Sequence, residues 1–137
     1  MEEFLGKKYV LTSYENFEDY LSHIGVGYVA RKLALTLKPV QTLTVDEEGV
    51  YSFTFTSALT SYTITFKPGE EFDEVKPDGS KTRSLVTFED NKLIHTQVEE
   101  SGRTSQHVRE FYDDHMVTTT TADGLNKTAI RRYATQH

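Results

Sequence analysis

The sequence predicts a mainly β protein, a ten-stranded antiparallel β-barrel capped by a helix-turn-helix lid. From residue 40 onward, short strand-like runs recur every eight to twelve residues between turn-forming segments. Aromatic residues in these runs alternate with Thr, Ser or charged residues, as at residues 51–55, and a sheet with one apolar face requires this alternation. Since only one helical pair is predicted, we expect the sheet to close on itself, which removes its edges and leaves an interior space.

Ten strand-like runs are placed along the chain, one before the helical pair and nine after it. Together with the lid they form one predicted domain over residues 1–137, a length that buries roughly two-thirds of the unfolded surface. The predicted strands lie near residues 7–14, 40–46, 50–56, 61–67, 71–75, 81–89, 92–98, 104–112, 115–121 and 127–134.

The helical lid is predicted over about residues 16–37. Asn16 offers a cap for a first helix, in which apolar residues from Phe17 onward recur at three- and four-residue spacing. Gly25 and its neighbours end this helix, and a second helix begins near Tyr28. Because the rest of the chain is β and no basic surface accompanies the pair, the use of this unit to bind DNA is disfavoured.

The composition argues against several classes of protein. The net charge is −6 and the fifteen Lys and Arg residues are scattered, which argues against binding to nucleic acid. No apolar run approaches the ~20 residues that cross a bilayer, and the acidic start differs from a secretory signal. The absence of cysteine fits a reducing compartment, so we expect a soluble, intracellular protein.

Catalytic and metal-binding patterns are missing from the sequence. The five histidines, the last of them His137, do not occur at His-x-His or His-x-x-x-His spacing. There is no Gly-x-Ser-x-Gly element and no glycine-rich phosphate loop. The acidic pairs at 70–71, 99–100 and 113–114 lie in or beside predicted turns, where solvated charge is the simpler interpretation. We therefore expect that the protein is not an enzyme and carries no cofactor or metal.

Two strand-like runs near the C-terminus each place an arginine among alternating residues. In the first run, His107, Arg109 and Phe111 share one face of the strand.

In the second run, Arg131 and Tyr133 share a face and Arg132 takes the opposite one. The turn-rich residues 122–126 lie between the two runs and predict that they pair as a hairpin. Two guanidinium groups and a phenol then converge on one spot.

Periodicity does not decide whether these arginines face solvent or the barrel interior. Strand arginines are usually solvated, and no function then follows from them. If Arg109 and Arg131 point inward, two buried cations cost several kcal/mol each unless an anion satisfies them. A ligand carboxylate accepts hydrogen bonds from planar guanidinium donors, and Tyr133 supplies a neutral donor beside them.

Several segments, in order along nearly the whole chain, resemble the intracellular lipid-binding proteins, the family of fatty-acid-binding proteins and cellular retinoid-binding proteins. The resemblance includes the two arginine-bearing runs, which are similar to the carboxylate-binding signature of that family. The matching segments are residues 4–6, 9–21, 25–32, 66–74, 78–79, 108–110 and 131–133.

The resemblance implies a β-clam fold and an intracellular, monomeric carrier of a long-chain fatty acid, active in lipid transport and lipid signalling. It implies that Arg109, Arg131 and Tyr133 hold the ligand carboxylate. It also implies a cytoplasmic and nuclear location, with transient membrane contact and a nuclear receptor or import partner that meets Arg31 and Lys32 on the lid. The residues expected at the cavity and its portal are Phe17, Leu21, Val26, Leu33, Leu59, Asp78, His107, Phe111, Thr118 and Thr120.

Other ligands and roles stay open. The same anchor fits a retinoid or another hydrophobic acid, because it recognises the carboxylate and says little about the tail. Two alternatives come from other classes of protein. One is a ligand-regulated interaction protein that acts through its helical lid, and the other is an interaction module with a dry, filled barrel.

Among the departures from the family pattern, four lie at expected cavity and portal positions. Leu59 stands where many members have a portal phenylalanine, and His107, Thr118 and Thr120 stand where apolar cavity residues are common. We expect His107 and the threonines to make the cavity wetter and to favour ligands with unsaturation or a mid-chain polar group. The alternative is a neutral histidine satisfied by a water molecule or by a neighbouring strand.

Overall fold

The computed structural model describes residues 1–136, so His137, which the predicted domain includes, lies outside the described residues. The chain opens with a short 3₁₀ turn at Glu2–Phe4. The helices are α1 Phe17–His23 and α2 Tyr28–Thr36, and the strands are β1 Lys8–Glu15, β2 Val40–Val45, β3 Tyr51–Thr56, β4 Ser61–Phe66, β5 Phe72–Val75, β6 Lys81–Glu89, β7 Lys92–Glu99, β8 Thr104–Phe111, β9 His115–Ala122 and β10 Ala129–Gln136.

The strands form one antiparallel sheet that is almost closed into a barrel. The strand order is β4-β3-β2-β1-β10-β9-β8-β7-β6-β5, with β4 and β5 at the two ends. Side chains bridge the gap between these end strands: Tyr62 Oη donates to Glu74 Oε2 at 2.6 Å, and the rings of Phe66 and Phe72 stack with their centres 6.1 Å apart. The prediction of a β-clam capped by a helix-turn-helix is therefore confirmed.

Alternating burial along the strands gives the barrel its inner and outer faces. In β8, Ser105, His107, Arg109 and Phe111 are buried, whereas the intervening residues are half-buried or exposed. Because a strand turns successive side chains to opposite faces, a single run supplies both the barrel interior and the outer surface.

The prediction that the two arginine-bearing runs pair as a hairpin is wrong. β9 lies between them, and Arg109 on β8 and Arg131 on β10 both pair with Thr118 on β9. A tight turn directly after β8 returns the chain as β9, so residues 122–126 join β9 to β10. The two arginines still share the inner face, because each is in register with the same threonine.

A glycine ends α1, as the sequence predicts. Val26 N–H donates to the Leu21 carbonyl at 3.0 Å and Gly25 N–H donates to the Ser22 carbonyl at 3.1 Å. This paired arrangement needs a left-handed residue after the helix, and Gly25 has φ +94°. The chain can then reverse into α2 within a few residues.

The start of α1 differs from the prediction. Asn16 stands at the N-cap but makes no side-chain cap hydrogen bond, and its φ is +58°. Its Nδ2 donates instead to the Thr128 carbonyl at 3.1 Å, which ties the lid to the segment before β10. Within residues 1–136, neither helix has the length and apolar character needed to span a bilayer.

An aromatic cluster fills the end of the barrel where β1 begins, away from the lid that follows β1. Phe111 packs there, with its ring centre 5.9 Å from that of Phe4 and 5.5 Å from that of Tyr9. All three side chains are buried. Phe111 therefore supports the closed end of the barrel.

Candidate ligand-binding site

A cavity of about 500 Å³ lies inside the barrel beneath the two helices. Both helices and the inner faces of several strands contribute to its lining, and its size is in the range of small-molecule sites. The predicted positions found on the lining are Phe17, Leu21, Val26, Leu33, Asp78, His107, Arg109 and Arg131.

The other predicted positions do not contribute to the lining. Thr118, Thr120 and Tyr133 are buried within β9 and β10. Leu59 is 64% exposed in the turn between β3 and β4, so it stands at the surface. Phe111 belongs to the aromatic cluster at the opposite end, because its place at the end of β8 carries it past the cavity.

Arg109 is a buried cation with unused donors. Its side chain is 3% exposed, and its guanidinium lies over the rings of Phe53 and Phe55, at 4.8 Å and 5.6 Å from their centres. The Nε and Nη1 atoms have no hydrogen-bond partner. Burial, together with the charge of Arg131, lowers the pKa of Arg109 to about 10, and the group stays protonated at neutral pH.

Arg131 faces the same cavity from β10. Its guanidinium lies 4.6 Å from the centre of the Phe17 ring, so α1 covers it. Nη2 donates to Thr120 Oγ1 at 3.3 Å, while Nε has no partner. Its neighbour Arg132 is exposed on the outer face and pairs with Glu15 at 3.3 Å.

Tyr133 lies in the same strand as Arg131, two residues further on. It is 1% exposed, and its hydroxyl accepts a hydrogen bond from Gln41 Nε2 at 3.0 Å. Because that bond uses the oxygen as acceptor, the hydroxyl hydrogen stays available for donation. Gln41 lines the cavity and was missed by the sequence analysis.

A second polar cluster centres on Glu74, a buried carboxylate that the sequence analysis also missed. Its Oε1 accepts from Ser84 Oγ at 2.9 Å and His95 Nε2 at 2.8 Å, and its Oε2 accepts from Tyr62 Oη at 2.6 Å. Gln97 Nε2 contacts both oxygens, at 3.2 and 3.1 Å. Burial raises the pKa of Glu74, but the hydrogen bonds from His95, Tyr62 and Gln97 outweigh burial and bring it to about 2.

His107 connects the cluster around Glu74 to Arg131 through protein side chains. Because Gln97 turns its amide nitrogen to Glu74, its Oε1 accepts from His107 Nε2 at 2.8 Å. The other ring nitrogen, Nδ1, then accepts from Thr120 Oγ1 at 2.8 Å, and Thr120 accepts from Arg131. In this series of hydrogen bonds, every donor points from Arg131 towards Glu74.

The alternative for His107, a neutral histidine satisfied by a neighbouring strand, is the arrangement found. Burial first, and then the charge of Arg109, lowers the pKa of His107 well below its usual value. Both ring nitrogens are occupied by Thr120 and Gln97, so His107 offers no free polar atom to a ligand.

The expected exposed basic pair on the lid needs correction. Lys32 is exposed, but Arg31 is half-buried and its Nη1 donates to the Val26 carbonyl at 2.9 Å. Both cations also lie near one carboxylate: Glu18 Oε2 is 2.7 Å from Lys32 Nζ and 3.6 Å from Arg31 Nε. The contact of Glu18 on α1 with both basic residues of α2 was not readable from either helix alone.

A nearly closed barrel with a helical lid and a covered interior that holds unpaired cations is a carrier-type binding protein. The polar groups converge on an enclosed space, as in a small-molecule binding site.

Comparisons with known proteins identify the family. The chain matches the model of the lipocalin / cytosolic fatty-acid binding protein family over residues 5–135. It is 39% identical to a muscle fatty acid-binding protein of Schistocerca gregaria, over 95% of this chain and 96% of the relative. The chain thus belongs to the lipocalin / cytosolic fatty-acid binding protein family, whose fatty acid-binding members are non-enzymatic lipid carriers, and it is not an enzyme.

Solved structures agree with the fold. A fatty acid-binding protein from brain tissue of Drosophila melanogaster superposes with a TM-score of 0.88 at 38% identity, covering 96% of this chain and 98% of that one. The Schistosoma mansoni fatty acid binding protein in complex with arachidonic acid gives a TM-score of 0.90 at 36% identity, covering 100% of this chain and 98% of that one.

Proposed function

We propose that the protein is a monomeric intracellular carrier that holds a long-chain fatty acid inside the barrel, with the carboxylate bound by Arg109, Arg131 and Tyr133. The observation that carries this proposal is a pair of guanidinium groups in the cavity whose Arg109 Nε, Arg109 Nη1 and Arg131 Nε atoms have no partner. The Thr118 hydroxyl, in register between the two arginines, also lacks a partner.

The internal carboxylate does not fill this role. Glu74 already receives hydrogen bonds from four side chains, and none of them belongs to an arginine. With the histidines neutral, the two arginines and Glu74 leave one positive charge uncompensated among these groups of the barrel interior. One ligand carboxylate neutralises that charge and accepts the unused N–H groups.

The apolar part of the lining suits an alkyl chain. Burying ten methylene groups contributes on the order of 8 kcal/mol before ordering costs. The relative whose structure contains arachidonic acid supports a fatty acid over other ligands. A retinoid or another hydrophobic acid fits the same anchor, so retinoic acid is one of the competing ligands in the experiment.

The lid supports ligand entry by way of a membrane. Tyr28, Val29 and Leu33 on α2 are 66%, 79% and 49% exposed, and Leu33 also lines the cavity. An apolar helix face beside a lipid cavity suits transient contact with a bilayer. Action in the cytoplasm agrees with the family description. Nuclear entry with a receptor or import partner rests on the resemblance alone. Measurement of nuclear accumulation of the protein tests it.

Native mass spectrometry of the purified protein, followed by extraction of what co-purifies, tests the proposal directly. We expect one fatty acid per chain, displaced stoichiometrically by added oleate and less readily by retinoic acid. If the delipidated protein binds no fluorescent fatty-acid probe, the proposal is contradicted and the dry, filled barrel is favoured.

A further inference from the structure

The cluster around Glu74 leaves one buried acceptor without a donor. His95 Nε2 gives its hydrogen to Glu74 at 2.8 Å, because a carboxylate accepts and does not donate. Burial lowers the pKa of His95, although Glu74 opposes the shift, so the ring is neutral and its Nδ1 carries a lone pair. That Nδ1 has no partner, the side chain is 2% exposed, and the residue lines the cavity.

The other members of the cluster do not supply the missing donor. Gln97 uses its amide hydrogens on Glu74, and His107 gives its Nε2 hydrogen to Gln97. Tyr62 and Ser84 donate to Glu74. Buried polar atoms in proteins almost always have a partner, so an acceptor that faces a ligand cavity with none points to a donor on the ligand.

His95 stands at a fixed separation from the proposed carboxylate anchor. On adjacent strands His95 pairs with His107, and Leu93 pairs with Arg109. His107 and Arg109 are two residues apart on the same face, which is roughly 7 Å along the strand. A group that reaches His95 therefore lies along the alkyl chain, beyond the carboxyl end.

We propose that the cavity selects a hydroxylated fatty acid, whose mid-chain hydroxyl donates a hydrogen bond to His95 Nδ1 while its carboxylate occupies the arginine site. The inference rests on the proposed function and narrows its ligand class. It differs from the sequence-based expectation about His107, because that histidine has both nitrogens occupied.

The chemistry of Nδ1 distinguishes a hydroxyl from other polar groups. A hydroxyl supplies the hydrogen, whereas a ketone has only lone pairs and faces the lone pair of Nδ1. In an apolar cavity without a matching acceptor, either oxygen weakens binding relative to the plain chain, because it loses its hydrogen bonds to water.

The experiment is a titration of delipidated protein with stearate, a set of positional hydroxystearates and the matching ketostearates. We expect at least one hydroxy isomer to bind about three- to tenfold more tightly than stearate, and its keto counterpart to bind more weakly than stearate. If stearate binds but no hydroxy isomer exceeds it, or if the keto acid matches the hydroxy acid, the inference is wrong and the proposed function stands. If no acid binds, the proposed function fails.

Variants locate the effect at His95. His95→Phe should abolish the preference for the hydroxy isomer over stearate, and His95→Gln, which keeps a donor for Glu74 and an acceptor for the ligand, should restore part of it. His115→Phe is the matched control, because His115 is exposed and lies off the cavity lining. A preference that persists in His95→Phe overturns the assignment, and the wild-type titration decides the inference even if that variant fails to fold.

Discussion

Two adjacent arginines have opposite environments because strand geometry separates them. Arg131 lines the cavity under the Phe17 ring, whereas Arg132 is exposed and pairs with Glu15. Surface pairs of this kind contribute little to stability, typically below 1 kcal/mol, while an uncompensated buried cation costs several. The two residues should therefore differ sharply in mutational effect despite their identical chemistry.

We expect Arg131→Leu to weaken fatty-acid binding at least tenfold and to leave the stability of the empty protein unchanged or raised. The carboxylate loses a charged donor, and the empty cavity loses an unpaired cation. Calorimetric titration with a fatty acid and with the corresponding alcohol measures the effect, which should be much larger for the acid.

Arg132→Leu is the control for that experiment, since it removes the same charge from the outer face of β10. It should change neither the affinity nor the free energy of unfolding by more than about 0.5 kcal/mol. Equal losses for acid and alcohol in Arg131→Leu, or a larger effect at Arg132, would contradict the proposed anchor.

At the scale of elements, the gap between β4 and β5 is closed by side chains where the backbone ladder ends. Tyr62 Oη donates to Glu74 across this gap at 2.6 Å. Burial and the bond to Glu74 raise the pKa of Tyr62, so the phenol remains a donor. One hydrogen bond to a charged acceptor therefore joins the two ends of the sheet.

Tyr62→Phe should lower the free energy of unfolding by about 1.5–3 kcal/mol, the usual contribution of a hydrogen bond to a charged group. Hydrogen exchange should quicken in β4 and β5 before it changes in β8 and β9. Tyr51→Phe on β3 is a matched control, because Tyr51 contacts Phe66 and Phe88 through its ring. Equal effects of the two substitutions would contradict the bridging role.

The lid carries its own charge arrangement. Glu18 on α1 holds both basic residues of α2, but Lys32 remains exposed while Arg31 also binds the backbone of the turn between the helices. Lys32 is therefore the residue available to an anionic surface, and Arg31 has a structural contact that complicates its replacement.

We expect Lys32→Ala to slow ligand transfer to anionic vesicles by about fivefold, since one lysine near such a surface contributes about 1 kcal/mol. Transfer to neutral vesicles should change little. Lys81→Ala, in an exposed position on β6, serves as the control. An Arg31→Ala/Lys32→Ala variant with unchanged vesicle transfer and unchanged nuclear accumulation would exclude the lid as an interaction surface.

At the scale of the whole molecule, the buried polar network makes stability depend on pH. The pKa values of Glu74, His95 and His107 are all lower in the folded protein than their usual values of 4.5 for Glu and 6.5 for His. Below those usual values the unfolded chain binds protons that the folded protein does not, so stability falls as the pH falls.

The free energy of unfolding, measured with urea, should begin to fall near pH 6.5 because of the histidines. It should fall more steeply below about pH 4.5, where Glu74 contributes. The full effect of Glu74, with a folded pKa of about 2, is on the order of 3 kcal/mol. His107→Gln keeps partners for Gln97 and Thr120 and should reduce the loss between pH 7 and 5. A free energy of unfolding that is constant from pH 7 to 4 would contradict this account.

The local patterns in the sequence determined the elements and their faces. Alternation sets which side chains of one strand share a face, so the opposite placement of Arg131 and Arg132 followed from parity alone. By the same parity, Glu74 shares a strand face with the aromatic Phe72, two residues earlier. This pattern could have indicated that the Glu74 carboxylate faces the barrel interior. The turn at Gly25 was equally local, because its left-handed backbone belongs to that residue.

Only the tertiary structure decided which strands lie side by side and which polar atoms meet. Pairing of both arginine strands with β9 depends on long-range register, which no local pattern encodes. Whether His107 or His95 keeps a free nitrogen depends on partners from distant strands, such as Gln97 and Glu74. Sequence periodicity acts over a few residues, whereas hydrogen-bond satisfaction in a buried network is a property of the assembled barrel.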